Sequence, residues 1–363
     1  MKIVTVLGTR PEIIRLSEIL PKIDRHADHV VVHTGQNNSQ TLSDVFFSEL
    51  NLRPPDHHLG VQAEDFARQI GKIMVGCHDV FVAEKPDRLL VLGDTNSAFC
   101  AVVAKRLGIP VFHMEAGNRS YDPRIPEEVN RRIVDHVTDI FLPYTERSRQ
   151  NLLREGIASD RIFVTGNPIH EVMAANMDAI DRSSILGDLG LAPDGYLLVT
   201  LHRAENVDIP ERLAVFLEAF DLLAERHGCP VIVSTHPRTR HRLSGQEAGR
   251  DARVRYLDPF GFLDFVKLEK NARCLLSDSG TVQEEGAILG VPTVTLRDVT
   301  ERPETLECGA NLLTGCDAGA IAAAVTRAME CRGRWRAPPE YLATGVSDTV
   351  VNLMMSYHHG LGR

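Results

Sequence analysis

Short apolar runs rich in valine, isoleucine and leucine alternate with amphipathic stretches of helical length through most of this chain. Periods of two and of 3.6 residues do not substitute for one another, so the alternation predicts βαβα units and a mostly parallel sheet covered on both faces. The expected strands are Ile3–Leu7, His29–His33, Arg88–Leu92, Val111–Met114, Ile140–Pro143 and Ile162–Thr165. Helical patterns fill Glu12–Ile23, Ala63–Glu84, Ser97–Leu107 and Glu127–Val137 between them. The pattern pauses near Gly166-Asn167-Pro168 and then restarts, with strands expected at Tyr196–Leu201, Val231–Ser234, Arg253–Leu257, Cys274–Ser277 and Thr293–Leu296. We therefore expect one α/β domain over 1–167 and a second over 168–347. A last helix over 348–363 is expected to complete the first.

The 363 residues agree with two domains at roughly 150 residues each. Apolar residues make up 43% of the chain, enough for two cores. A formal net charge of −9 argues against a nucleic-acid or anionic-membrane surface and leaves room for a local basic cleft. The start, MKIVTVLGTR, reads as a strand running into a loop rather than a secretory leader. No apolar run reaches the ~18 residues that a membrane span needs. The seven cysteines include no C-x-x-C pair, which fits a reducing, cytoplasmic setting.

Ligands of open parallel sheets bind beyond the carboxyl ends of the strands. Directly after the expected strands come Gly8-Thr9-Arg10-Pro11-Glu12, Thr34-Gly35-Gln36, Gly93-Asp94-Thr95-Asn96 and Glu115-Ala116-Gly117-Asn118-Arg119. The second half gives His202-Arg203, His236-Pro237-Arg238, Asp278-Ser279-Gly280-Thr281 and Arg297-Asp298. Two such edges facing each other would form a cleft for a ligand. Backbone N–H groups and Arg10 at the first turn suit an anion at a helix N-terminus, although an ordinary βα turn also accounts for them. The chain has no G-x-G-x-x-G and no G-x-x-x-x-G-K-[ST], so a dinucleotide cofactor or a P-loop is not indicated. The turn at Ser279 and Gly280 opens a helix. Either Ser279 or Thr281 caps it, or its N–H groups hold a diphosphate. Glu285, one turn in, is then placed for the hydroxyls of a ribose.

Asp94, Glu115 and Glu127 form a candidate acid/base set. Each has a plain alternative, as turn residue, loop carboxylate and helix-start charge. Packed together they would repel and raise at least one pKa. His202 is placed to orient or protonate a leaving phosphate, and His236 is a weaker candidate of the same kind. The fifteen histidines show no metal-ligand spacing on a helix, so no metal is expected. No serine sits in G-x-S-x-G.

Taken in order, GTRPE (8–12), GDT (93–95), EAG-x-R (115–119), PEE-x-NR (126–131), HR (202–203), DSG…QEE (278–285) and RD-x-TERPE (297–304) resemble the non-hydrolysing UDP-N-acetylglucosamine 2-epimerases over nearly the whole chain. The resemblance implies a GT-B-like pair of Rossmann-type domains with a cleft between them, usually in a homodimer. It implies isomerisation of a UDP-sugar with no redox cofactor or metal. The proton on carbon 2 leaves, UDP is eliminated across carbons 1 and 2, and UDP adds back to the bound glycal after proton delivery to the opposite face. On this resemblance Asp94, Glu115 and Glu127 match the acid/base carboxylates, and His202 the histidine by the leaving diphosphate. Arg10, Ser279 and Gly280 match phosphate contacts, Glu285 a ribose contact, and Arg131 a further arginine of the site.

Three positions depart from the family pattern. Thr281 stands for the second glycine of DSGG, Asn118 for the leucine of EAGLR, and Gln36-Asn37 for Gln-His. The last pair lies where bacterial members hold an activating UDP-N-acetylglucosamine. GTRPEIIRLS, HTGQN, MEAGNR, RRIVDH and LSDSGT look closer to a subgroup that makes UDP-N-acetyl-L-fucosamine from a 6-deoxy-L-talo sugar nucleotide. Both substrates stay open, as do a hydrolysing 2-epimerase, a GT-B glycosyltransferase and a non-catalytic sensor of nucleotide sugars.

Overall fold

In a computed structural model of the chain, which describes residues 1–36, 40–243 and 250–358, contacts divide the molecule into two units. Unit 1 comprises Met1–Ala175 with Glu340–Arg363, and unit 2 comprises Asn176–Pro339. Asn37 lies outside the described residues, as do residues 359–363 of the expected last helix.

Unit 1 holds strands β1 (Lys2–Leu7), β2 (Asp28–His33), β3 (His57–His58), β4 (Arg88–Leu92), β5 (Val111–Met114) and β6 (Ile140–Leu142). Its helices are α1 (Arg10–Leu16), α2 (Leu20–His26), α3 (Gln40–Glu49), α4 (Phe66–Glu84), α5 (Cys100–Arg106), α6 (Pro126–Val137), α7 (Glu146–Arg154) and the first half of α8 (Ile169–Arg182). The sheet is parallel, in the order β3-β2-β1-β4-β5-β6.

Unit 2 repeats the plan with β7 (Leu197–Leu201), β8 (Val231–Thr235), β9 (Val254–Leu257), β10 (Cys274–Ser277), β11 (Thr293–Thr295) and β12 (Asn311–Leu313). Its helices are α9 (Ile185–Asp188), α10 (Ala204–Val207), α11 (Pro210–His227), α12 (Pro237–Leu243), α13 (Phe262–Asn271), α14 (Gly280–Leu289), α15 (Pro303–Glu307) and α16 (Ala318–Glu330). The order β12-β11-β10-β7-β8-β9 is the same doubly wound arrangement read from the other edge. Each unit is thus Rossmann-type, the GT-B-like class expected. Strand order reverses between β1 and β4 in one unit and between β7 and β10 in the other, and such switch points are where ligands of this fold bind.

Strands buried on both faces explain the near-continuous apolar runs. Val199 and Leu201 pack with Phe216 and Phe220 of α11 on one face, while Tyr196, Leu198 and Leu275 meet Leu268 of α13 and Val282 of α14 on the other. In unit 1, Val4, Val6, Leu89 and Val91 pack against Ile73, Cys77 and Phe81 of α4 and Ala101 and Ala104 of α5.

The last helix, α17 (Val346–Ser356), belongs to unit 1 and buries Val346, Val350, Val351 and Met354. Arg88, itself buried and stacked over Phe112, donates to the carbonyls of Leu353 and Met354 at its C-terminal end. Lys22 reaches Asp348 at 2.7 Å near its start.

Three expected elements differ. Ile162–Thr165 joins β6 through one isolated bridge, with Phe163 and Thr165 donating to the carbonyls of Phe141 and Pro143. Pro143 has no N–H with which to continue the ladder. The single helix expected over Glu12–Ile23 is two, α1 and α2, because Pro21 offers no N–H to residue 17. Ser97–Leu107 begins as a 3₁₀ turn over Asn96–Phe99 before α5. Among the described residues no helix is long and apolar enough to cross a membrane.

Candidate functional site

At the carboxyl end of the unit 1 sheet, adjacent strands β4 and β5 end in register at Leu92 and Met114, and their turns deliver Asp94 and Glu115 side by side. Gly93 leaves no side chain between them, and a Cβ placed there would lie 3.8 Å from Glu115 Oε2. Glu115 is buried with a left-handed backbone, φ +64°, a conformation that costs a non-glycine residue on the order of 1 kcal/mol or more and collects at functional sites. Its carboxylate is held on both oxygens: Arg15 pairs with Oε2, and Asn118 Nδ2 donates to Oε1 at 3.2 Å. Ser148 Oγ donates to Asn118 Oδ1 at 2.7 Å, which fixes that amide the right way round. Gly117, φ +79°, is required here, because a Cβ would come 2.3 Å from the carbonyl oxygen of Ser148.

Asp94 pairs with the buried guanidinium of Arg131, whose Nε donates to Oδ2 at 3.0 Å. Asp94 and Glu115 are therefore each met by an arginine, where the sequence led us to expect carboxylates countering one another. Glu127 opens α6 half-buried, one turn before Arg131. Its neighbour Glu128 is buried and committed to structure, accepting from Ser120 N at 2.8 Å and from Arg131 Nη1 at 2.9 Å. Behind these turns His113 bridges Gly93 O at 2.8 Å and Asp135 at 2.9 Å, and Asp135 also pairs with Arg119.

The β1 turn carries Arg10 over the ring of Phe46 at 5.9 Å. Burial depresses the Arg10 guanidinium, and no acidic side chain forms an ion pair with it among the described residues. Glu12 beneath it accepts from the N–H groups of Gly8 and Thr9 and, at 3.0 Å, from Thr95 Oγ1, tying this turn to that of Asp94. Burial raises Glu12 to about 7, even against these hydrogen bonds. Gln36 Oε1 accepts from Ser97 N at 2.9 Å and holds the third turn.

At the carboxyl end of the unit 2 sheet, β7 and β10 deliver His202 and the fully buried Asp278. His202 Nδ1 lies 3.1 Å from Asp278 Oδ1, and the two carboxylate oxygens accept from the backbone N–H groups of His202 and Arg203. Burial works to raise Asp278, but the His202 ring and Arg203 outweigh it and hold the acid well below the ordinary carboxylate range. The His236 ring stands 5.8 Å from that of His202. His236 Nδ1 accepts from Arg238 N at 3.2 Å.

Ser279 stands at the N-cap of α14 without a side-chain capping bond, so its hydroxyl does not occupy the first N–H groups. Gly280 is buried, and a Cβ there would stand 3.5 Å from Arg302 and 3.7 Å from Glu301. Arg302 is tied to Glu284, and Glu301 bridges Arg297 and Arg203, which makes TERPE the frame of this helix end. Glu285 lies nearly buried one turn into α14.

Sequence reasoning gave no role of their own to Arg15, Asp278, Tyr144 and Glu12. Arg15 and Glu12 lie inside the quoted GTRPEIIRLS, and Asp278 inside DSG, so the signal was present. Tyr144, 5.6 Å beneath Arg15, follows β6 with no motif to mark it.

Comparisons with known proteins cover the whole arrangement. The family described as UDP-N-acetylglucosamine 2-epimerase matches residues 21–355. The chain is 41% identical over 347 residues to the UDP-N-acetylglucosamine 2-epimerase of Methanocaldococcus jannaschii, covering 93% of this chain and 95% of that one. It is 37% identical to the UDP-2,3-diacetamido-2,3-dideoxy-D-glucuronate 2-epimerase of Pseudomonas aeruginosa, over 87% and 88% of the two chains. The crystal structure of the Methanocaldococcus jannaschii UDP-GlcNAc 2-epimerase in complex with UDP-GlcNAc and UDP superposes with a TM-score of 0.93 at 39% identity, over 98% of this chain and 99% of that one. On the matched length, the identity and the fold together, the chain belongs to the UDP-N-acetylglucosamine 2-epimerase family of isomerases.

Proposed function

We propose that the chain inverts carbon 2 of a UDP-linked 2-acetamido hexose of the UDP-N-acetylglucosamine type and keeps the nucleotide throughout. The observation that carries the reading is Glu115: buried, left-handed, and clamped by Arg15 and Asn118 beside Asp94. Strain held this firmly at a strand end serves chemistry better than stability. Asp94, Glu115 and Glu127 provide the acid/base groups. One takes the carbon 2 proton as the bond from carbon 1 to the UDP oxygen breaks, and the electron pair of the broken C–H bond becomes the C1=C2 double bond of a glycal. Another returns a proton to the opposite face as the UDP oxygen adds back to carbon 1. His202, oriented by Asp278, donates to the leaving diphosphate and recovers the proton on its return. Arg10, Arg131, His236, Ser279 and Gly280 bind the UDP-sugar, and Glu285 accepts the ribose hydroxyls.

The reading includes a homodimer, a cytoplasmic location and a role in supplying sugars for polysaccharide assembly. Light scattering on a sizing column tests the first. A relative that acts on a diacetamido glucuronate at 37% identity shows that identity alone does not name the sugar. The 6-deoxy-L-talo sugar nucleotide therefore stays the second substrate to test, on the wording around Arg15 and Asn118. Anion-exchange chromatography of the products decides between the rivals. UDP-N-acetylmannosamine formed from UDP-N-acetylglucosamine, with no free sugar, supports the reading. Free N-acetylmannosamine with released UDP would replace it with a hydrolysing epimerase.

A further inference from the structure

Glu269, in the last turn of α13, is fully buried, and among the described residues no N–H or hydroxyl donor reaches either of its oxygens. The group within hydrogen-bonding reach is another carboxyl, that of Glu285 on the adjoining α14. A buried carboxylate without a donor is expensive, and two facing carboxylates are more so. Two carboxyls at hydrogen-bonding range need a proton between them. The Tyr196 hydroxyl, whose ionisation Glu269 opposes, donates instead to Leu268 O at 2.5 Å. Burial and the neighbouring Glu285 both push Glu269 well above its ordinary value, in the same direction as the geometry.

We propose that Glu269 is a positioning residue, a neutral acid that donates its O–H to Glu285 and thereby aims that carboxylate at the ribose hydroxyls of the nucleotide. The inference rests on the ribose assignment of Glu285. Glu269 touches no substrate. Its O–H occupies one lone pair of Glu285 and fixes the plane of the carboxylate, so less freedom is lost when the diol binds. A hydrophobic residue in this fully buried position would carry no desolvation penalty. The acid therefore serves the neighbour rather than the core.

Calorimetric titration with UDP and with 2′,3′-dideoxy-UDP tests this on wild type, E285Q, E269Q and E269M. Wild type is expected to prefer UDP. E269Q, whose amide N–H replaces the acid O–H, keeps that preference within about threefold. E269M, of similar size but with no donor, loses about tenfold in UDP affinity, as for one lost hydrogen bond, with the dideoxy nucleotide unaffected. An E269M that retains the UDP preference, or weakens for both nucleotides alike, overturns the proposal. An E285Q that still prefers UDP overturns the ribose assignment itself and the proposal with it. Infrared difference spectra of E269Q against wild type at neutral pH give a readout that does not need E269M to fold. The carbonyl band of a buried protonated acid present in wild type and absent in E269Q supports the proposal, and no such band overturns it.

Discussion

Glu115 holds a backbone conformation that its own side chain disfavours, and the contacts that enforce it come from Arg15, Asn118 and the Gly117–Ser148 approach. Substitution of the acid/base carboxylates should therefore act on chemistry rather than on binding. Asp94→Asn, Glu115→Gln and Glu127→Gln are each expected to lose epimerisation by on the order of 100-fold or more while still binding UDP. Near-normal turnover in all three would remove the acid/base assignment. Glu12 sets a pH dependence. Its folded value of about 7 lies above the ordinary 4.5, so its stabilising contribution is complete below pH 4.5 and fades as pH rises through 7. The loss is on the order of 3 kcal/mol, read as the difference between urea unfolding of wild type and of E12Q at about pH 5 and pH 8. Equal pH slopes in the two proteins would contradict it. At this scale the motifs GDT, EAG-x-R and DSG were legible, because each strand end exposes a short polar turn. The pairing of Arg15 with Glu115 and of Asp278 with His202 was not, since sequence shows neighbours along the chain and not across a sheet edge. Nor does PEE say that Glu128 accepts from Ser120 and Arg131, as its contacts do.

Helix α14 illustrates what an element contributes. It is pinned to the sheet at Gly286, where a Cβ would stand 2.2 Å from Thr293 Oγ1 and 3.1 Å from the carbonyl oxygen of Val291. Close approach there sets the direction in which the Ser279–Gly280 end presents its N–H groups. Gly286→Ala is expected to cost about 1–3 kcal/mol in thermal unfolding by overpacking, and to weaken UDP binding along with it. An unchanged melting temperature would show that the helix shifts freely. Long helices and central strands were readable from periodicity. The two-residue β3 and the three-residue β12 were not, because so short an edge strand carries no period. The break between α1 and α2 was visible in Pro21, yet the apolar spacing on either side continues through it and hid the break.

Across the molecule, two copies of one strand order put the turns of Arg10, Asp94, Glu115, His202, His236 and Ser279 directly after strands of the two sheets. The βαβα alternation made that order predictable, whereas the return of the chain to unit 1 for α17 depends on long-range packing. A chain ending before Val346 exposes the surfaces that Val346, Val350, Val351 and Met354 cover. At about 1.5–3 kcal/mol for each large apolar side chain, that loss rivals the whole stability of a domain. The helical circular dichroism signal should then fail in two steps, with unit 1 lost early. Fluorescence of Trp335, the single tryptophan and part of unit 2, should keep its midpoint. Coincident transitions would contradict the separate accounting of the two units.

The central claim is proton exchange at carbon 2 without loss of the nucleotide. Proton NMR of the protein in deuterium oxide tests it, with UDP-N-acetylglucosamine in one tube and the 6-deoxy-L-talo sugar nucleotide in the other. Deuterium entering at carbon 2 while UDP stays attached is the predicted result, and the tube that turns over identifies the sugar. Both sugar nucleotides intact and unexchanged would contradict the account.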